Sequence, residues 1–447
     1  EEYIQRYDQP RFAEACEALY VRLLSSDHAY EAVRKAFYLA KTESQPVLLG
    51  AAMDIQQQNM DDDEEYRPSS SMFSSVPAAP NPAAMEQAAE IVEGSRKPVI
   101  VVGRGAMWAD AGQAVVSLAE RIGAIIATTL MAKTWLCDAD QFHVGISGFY
   151  GTRTAMQLFE DADAVIAVGA SMNRYTTEHG YIFPNARYVQ LELKPQALMG
   201  DGKAADCYIH TDARLGVEAL EAALAKRSFQ QTGYRTPEVK KRLETHFEDT
   251  AQFEVESDRL DPREVCIALD DLVPDDVALV TGSGASTGFS NILFHRPRPL
   301  VMAGHWFGCI GQQLPAAMGA VAATKRPTLL VDGDASLLMH VAELETAVRA
   351  NMPLLVVCLN DQALGSEYHK FHAHKMDAEL ATIPTPDLGA VGRALGGRGT
   401  LATTIEDVGA AAQEWLADRR GLMVIDARIS RKVVSLPYRR IHFGKDE

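Results

Sequence analysis

Positive charge is scarce in this chain. Lysine and arginine together number 43 against 60 aspartates and glutamates, a formal net charge of −17. Phosphate neutralisation needs basic patches, so this balance argues against non-specific binding to nucleic acid or to an anionic membrane. No apolar run reaches membrane-spanning length, and the first residues carry no signal-peptide pattern. Cysteine is sparse: Cys16, Cys137, Cys207, Cys266, Cys309 and Cys358 are scattered, with no C-x-x-C and no histidine cluster at zinc spacing. They read as reduced, mostly buried thiols of a cytoplasmic protein. Nor does any repeat recur at a solenoid period. What remains is an ordinary globular composition, 47% hydrophobic and 23% charged, over 447 residues. That length accommodates two or three domains, each with its own core.

The stretch from Thr328 to Glu367 organises the rest. Thr328–Val331 is a short aliphatic strand pattern, Gly333-Asp334-Ala335-Ser336 breaks it, Leu337–Ala350 has apolar residues at helical spacing, and Leu354–Leu359 reads as a second buried strand. Strand, crossover helix and strand make a right-handed βαβ unit with parallel strands. Asp334 and Asp361 then leave the carboxyl ends of neighbouring strands, where open α/β sheets bind ligands. Taken singly, Asp334 reads equally as a helix cap and Asp361 as a turn residue. As a pair within this frame they suit a hard divalent cation carrying a phosphate, with backbone N–H groups of the Asp334–Leu337 turn facing the phosphate oxygens.

Gly333–Ser336 (G-D-A-S), Ala342–Arg349 (A-E-L-E-T-A-V-R), Met352-Pro353 and Leu359–Asp361 (L-N-D) resemble the cofactor motif of thiamine-diphosphate enzymes, usually G-D-G-S, E-L-x-T-A-x-R and N-N. The branch resembled is that of acetolactate synthase and the 2-oxo-acid decarboxylases. The resemblance implies Mg²⁺ held by Asp334, Asp361 and the carbonyl of Ala363, with Gly333, Ala335 and Ser336 lining the diphosphate. Two positions depart from the pattern. Ala335 stands for glycine, placing a Cβ in a loop expected to need positive φ. Asp361 stands for asparagine, adding a negative charge beside the diphosphate.

The expected fold class is α/β: doubly wound parallel-sheet domains, a thiamine-diphosphate-binding fold with a central Rossmann-like domain. Residues 1–54 resemble the end of a pyrimidine-binding domain, with an amphipathic helix over His28–Lys41 leading to one strand, Pro46–Leu49. There Gln5, in Ile4–Gln9, matches an active-site glutamine of the synthase branch. The family's activating glutamate has no counterpart before Gln5, so the sequence is expected to be part of a longer chain, the alternative being lost function. Residues 55–84 read as a linker, with an acidic run at Asp61–Glu65 and then Pro, Ser and Ala.

Residues 85–225 form the Rossmann-like block, 226–262 a connector with a polar helix over Pro237–Phe253, and 263–435 the diphosphate and Mg²⁺ domain. Residues 436–447 read as a polar surface tail. Gly103-Arg104-Gly105 is an incomplete dinucleotide fingerprint and reads foremost as a sheet-to-helix turn needing small residues. The incomplete fingerprint also argues against a nicotinamide-dependent oxidoreductase. In the synthase branch the central domain holds a structural FAD and in other relatives it is empty or binds a regulatory nucleotide; no motif here is specific to FAD.

Three further elements complete the expected site. Gly282-Ser283-Gly284 follows the first strand of the last domain and matches the family's first diphosphate loop. Ile310, in the run His305–Gly311, matches the bulky residue beneath the cofactor, or is a core isoleucine before a helix. Glu367 and His369 match or adjoin a proton-handling glutamate of the decarboxylases, or are a solvated pair at a helix start. The resemblance thus implies a lyase or carboligase acting on a small 2-oxo acid, in a homodimer or homotetramer with sites between subunits. Simple decarboxylation, C–C hydrolysis or aldehyde lysis on the same cofactor, and a non-catalytic regulatory paralogue are the alternatives.

Overall fold

The computed structural model of the chain describes residues 7–60, 65–72, 76–194, 199–200, 202–227, 233–302 and 307–444. Gln5 and the His305-Trp306 pair lie outside them. The chain divides into Glu1–Pro77 and Ala78–Glu447. In the first unit β1 (Leu19–Leu23) and β2 (Val47–Ala51) pair in parallel, joined through the helix Ala29–Thr42. Two strands therefore stand where the pattern suggested one. β1 escapes a periodicity reading because Arg22 interrupts its apolar run.

In the second unit β3 (Pro98–Val102), β4 (Ile125–Thr128), β5 (His143–Ile146), β6 (Ala164–Val168), β7 (Arg187–Glu192) and β8 (Cys207–His210) form one parallel sheet in the order β5-β4-β3-β6-β7-β8. This is the Rossmann arrangement. Alternate residues of β3 enter opposite cores: Ile100 and Val102 join one, Val99 and Val101 the other. A sheet buried on both faces needs such continuous apolar strands. Gly103 and Gly105, after β3, lie against Gly169, after β6. A Cβ on Gly103 would overlap the Gly169 carbonyl oxygen, and the Gly105 N–H donates to that oxygen at 3.0 Å. These glycines let two strand-end loops touch. Gly103→Ala should lower stability by roughly 1–3 kcal/mol through backbone overlap, read as a lower midpoint in thermal or urea unfolding.

β9 (Ala278–Thr281), β10 (Leu300–Met302), β11 (Thr328–Gly333), β12 (Leu354–Asn360), β13 (Arg398–Ala402) and β14 (Leu422–Arg428) make the second six-stranded sheet, in the order β10-β9-β11-β12-β14-β13. Every pairing is parallel. The chain leaves β9 for one edge and returns through β11 to the other side, so the switch point lies between β9 and β11.

Several sequence expectations change here. The helix expected over Leu337–Ala350 is two, Asp334–Met339 and Glu343–Arg349. Gly311 packs directly on Met339 and His340 at the break. The connector helix is only Pro237–Leu243; further on, where helix was also expected, the Arg263 guanidinium takes the Asp249 and Ala251 carbonyls at 3.1 and 2.7 Å. The tail, expected as a polar surface segment, is partly buried over residues 436–444. Leu436, Pro437 and Arg439 are buried, Arg439 pairs with both Asp249 oxygens at 2.7 and 3.0 Å, and Arg440 donates to the Phe149 and Gly151 carbonyls at 2.6 and 3.0 Å. No helix among the described residues is long and apolar enough to cross a membrane.

Candidate functional site

Four strands of the second sheet deliver their carboxyl-end loops to one open crevice. From β9 come Ser283–Ser286, from β11 Gly333–Ser336, from β12 Asp361–Ala363, and from β14 Ile429–Arg431 and Val433; the helix after β12 adds Gly365–Glu367 and His369. The register sets this meeting, since Gly333 sits beside Leu359 in the β11–β12 ladder and Asp334 and Asp361 follow within two residues.

Asp334 opens the helix Asp334–Met339 and is 1% exposed, Asp361 8%. Asp361 Oδ1 accepts the Ala363 N–H at 3.0 Å. Ala363 bridges Thr382 through hydrogen bonds made by its neighbours, Leu364 N–H to the Ala381 carbonyl and Ile383 N–H to the Gln362 carbonyl, both at 2.8 Å. Its own N–H and carbonyl therefore face away from that bridge. Asp334 Oδ2 is buried and accepts no hydrogen bond among the described residues. Burial, then the facing Asp361 charge, pushes the Asp334 carboxyl up to about 8. Burial likewise pushes Asp361 up to about 6, with the Arg431 charge acting against the rise. Two facing buried carboxylates, one with an orphaned oxygen, need either a proton or a cation between them. The donors are hard oxygens, which fits Mg²⁺ or a similar ion. Among the described residues no three His, Cys, Asp or Glu side chains converge as a closed cage, so phosphate and water oxygens would complete the shell.

Gly284 has φ +97°, a conformation other residues adopt only with strain, and Ile310 packs beside it. Gly282, beside Gln313, has no room for a Cβ. Ala335 is helical and outside the positive-φ set, so the expected strain at this departure is absent. The Ser336 hydroxyl is turned inward: Oγ lies 2.6 Å from Asp332 Oδ2 and 2.8 Å from Gln313 Oε1, and accepts the Gly311 N–H at 2.9 Å. One hydroxyl proton cannot serve both acceptors. Asp332, fully buried and pushed up to about 7 by that burial, can hold the second proton. Asp332 was not among the candidates read from sequence, although its place beside the G-D-A-S turn was the available signal. Asn360 was overlooked too: it donates to Asp426 Oδ1 at 2.8 Å and accepts from Gln362 N–H and Thr385 Oγ1 at 3.1 and 3.0 Å, which aims Asp361 at the crevice.

Glu367 and His369 part company. Glu367, in the first turn of the helix Gly365–Ala373, is exposed at the crevice rim. His369 is buried, and burial lowers its imidazole to about 4. Its ring meets the Tyr438 ring edge-on at 6.3 Å, and Tyr438 Oη donates to Ser366 Oγ at 2.9 Å. The tail thus reaches the crevice wall.

A doubly wound sheet that brings glycine-bearing loops and two buried carboxylates together at the carboxyl ends of its strands has the architecture of an α/β cofactor-binding domain. The chain belongs to the thiamine pyrophosphate enzyme family. Residues 85–220 match the family model of the thiamine pyrophosphate enzyme central domain, and residues 282–427 that of the C-terminal TPP-binding domain; thiamine diphosphate is the cofactor of these domains. Among relatives, a sulfoacetaldehyde acetyltransferase of Castellaniella defragrans is 27% identical over 81% of this chain and 65% of its own length. The acetolactate synthase large subunit of Parasynechococcus marenigrum is 31% identical over 75% and 55%, and that of Corynebacterium glutamicum 29% identical over 75% and 54%. The chain thus spans between half and two thirds of these relatives. Benzoylformate decarboxylase from Polynucleobacter necessarius shares the fold, with a TM-score of 0.72 and 19% identity over 94% of this chain and 77% of that one.

Proposed function

We propose that the protein is a thiamine-diphosphate- and Mg²⁺-dependent C–C lyase or carboligase acting on a 2-oxo acid. The orphaned Asp334 oxygen beside Asp361, in a crevice walled by glycine-bearing strand-end loops, carries this reading. Asp334, Asp361 and the Ala363 carbonyl would hold the metal. The loops Gly282–Gly284 and Gly333–Ser336 would receive the diphosphate through backbone N–H groups, with Ser336 pinned from behind by Asp332 and Gln313. When bound, thiamine diphosphate supplies the nucleophilic carbon and electron sink for decarboxylation of a 2-oxo acid. Ile310, against Gly284, shapes the floor. His369, neutral at physiological pH, is a hydrogen-bonding partner at the wall, while Glu367 at the mouth is placed to exchange protons with substrate and solvent. Acyl transfer to an acceptor is favoured by the relatives named as acetolactate synthases and acetyltransferases. Simple decarboxylation is the second reading, favoured by the carboxylate of Glu367 at the crevice mouth. The assembly we propose is a homodimer or homotetramer.

The direct test supplies the full-length protein with thiamine diphosphate, Mg²⁺ and a panel of 2-oxo acids, following carbon dioxide and products. No carbon dioxide from any of them would reject the reading. Glu367→Gln should reduce kcat by roughly 100-fold, the scale of a lost acid–base group, and leave cofactor affinity unchanged. Equal turnover would return Glu367 to the solvated surface.

A further inference from the structure

Asp361 and Ala363 line the crevice, but the side chain of Gln362 between them turns away, toward the connector. Its backbone is held at φ +58°, a left-handed conformation that a residue with a Cβ adopts only under local strain. Rotation about that bond would swing the Ala363 N–H off Asp361 Oδ1, which it meets at 3.0 Å. The left-handed turn and the aim of Asp361 therefore stand or fall together. Three hydrogen bonds hold the turn. The Gln362 N–H donates to Asn360 Oδ1 at 3.1 Å, its carbonyl accepts the Ile383 N–H at 2.8 Å, and its side-chain Oε1 accepts from Arg259 Nη2 at 2.9 Å. The third reaches in from the connector, and its donor is anchored. Leu260, next to Arg259, donates its N–H to the Arg428 carbonyl and accepts the Ser430 N–H, both at 2.8 Å, bridging Ile429 just past β14. Ile429 in turn donates its N–H to the Asn360 carbonyl at 3.0 Å. The Arg259 side chain also has an ionic neighbour, Asp258 at 3.9 Å, but that carboxylate is largely in solvent and such a contact is weak.

We propose that Arg259 is a positioning residue for metal binding: by holding the Gln362 side chain it keeps the loop in the left-handed turn that presents Asp361 and Ala363 together. This rests on the diphosphate and Mg²⁺ reading of the crevice. Arg259 acts through Gln362 and not on the ion, so it is needed only while position 362 carries a side chain that strains the turn.

The test measures, by calorimetry on the full-length protein, the Mg²⁺ concentration that half-saturates thiamine diphosphate binding. Arg259→Met should raise it about tenfold, the lower end of what losing a group behind a metal ligand causes, and Arg259→Lys should recover part of that. Gln362→Ala, which keeps the Cβ and loses the amide, should match Arg259→Met. Gln362→Gly, free to adopt positive φ, should need at least about threefold less Mg²⁺ than Gln362→Ala, and adding Arg259→Met to it should change the value by less than about twofold. A Gln362→Gly variant no better than Gln362→Ala, or unaltered Mg²⁺ dependence in Arg259→Met and Gln362→Ala, overturns the proposal. These last two break the contact from opposite sides, so a folding defect in one, seen in circular dichroism melts, leaves the other to decide. Cofactor binding that ignores Mg²⁺, or no binding, in the unsubstituted protein would instead reject the crevice reading itself, so the two failures are distinguishable.

Discussion

Asp334→Ala is expected to abolish Mg²⁺-dependent binding of thiamine diphosphate while leaving the fold intact. The loss should exceed roughly 100-fold, since outer-shell partners of a metal alone account for 10–100-fold. Asp334 contributes nothing to the core beyond the start of a short helix, and one of its oxygens is buried without a partner. In the absence of a cation it is a liability. The folded chain keeps protons on Asp334 up to about pH 8 and on Asp361 up to about pH 6, whereas the unfolded chain releases them near the ordinary carboxylate value. The folded state therefore binds more protons through that window. Stability from these groups is fully present below the ordinary carboxylate value and is lost progressively as pH rises from about 4, the loss being complete near 6 for Asp361 and near 8 for Asp334. At pH 8 without Mg²⁺ the variant should melt no lower than the unsubstituted protein, and by this argument a few degrees higher. With Mg²⁺ and thiamine diphosphate the order should reverse, because only the unsubstituted protein gains from ligation. Unchanged cofactor affinity in calorimetry would remove the metal assignment.

The second large effect concerns stability and lies away from the crevice. Asp270 and Arg298 are 1% and 0% exposed at their side chains and pair at 2.5 Å. Asp270 Oδ2 also accepts the backbone N–H groups of His295 and Arg296, at 3.1 and 3.3 Å. Lys133 is close by, fully buried, donating to the Ser290 carbonyl at 3.1 Å. Burial lowers the Lys133 ammonium to about 7, and Asp270 is the largest influence holding it up. Asp270→Ala therefore leaves the Arg298 guanidinium buried without its counter-charge and removes the main influence keeping Lys133 protonated. Breaking a buried pair costs about 3–5 kcal/mol, so the melting midpoint should fall by roughly 10 °C. Arg298→Ala should cost less, since Asp270 keeps its backbone donors and Lys133. Replacing both partners, as in Asp270→Leu with Arg298→Met, should recover much of the loss, and a double variant as unstable as the sum of the singles would show that the pair is not one unit.

Much of the crevice was legible before the fold was known, for a local reason. Asp334, Asp361 and Ala363 follow parallel strands joined by one crossover, and strand length and helix periodicity leave few ways to place them. The inward turn of Ser336, the proton-sharing Asp332 and the aim of Asp361 by Asn360 were not legible. Each depends on partners distant in sequence: Gln313 and Gly311 for Ser336, Asp426 and Thr385 for Asn360. Half-exposed β13, with Gly399 and Thr400 in its run, has no periodic signal. Nor was the early end of the connector helix, beyond which Arg263 and Arg439 bond Asp249.

By itself, the sequence determined two doubly wound α/β blocks and the loops that bear the acidic and glycine residues, because apolar periodicity and short crossovers act over a few residues at a time. Tertiary structure alone decided that Asp334 and Asp361 would be buried together, that Glu367 would stand in solvent while His369 was enclosed, and that Arg431, after β14, would line the same crevice. Burial and long-range electrostatics depend on segments far apart in the chain, and no local pattern encodes them.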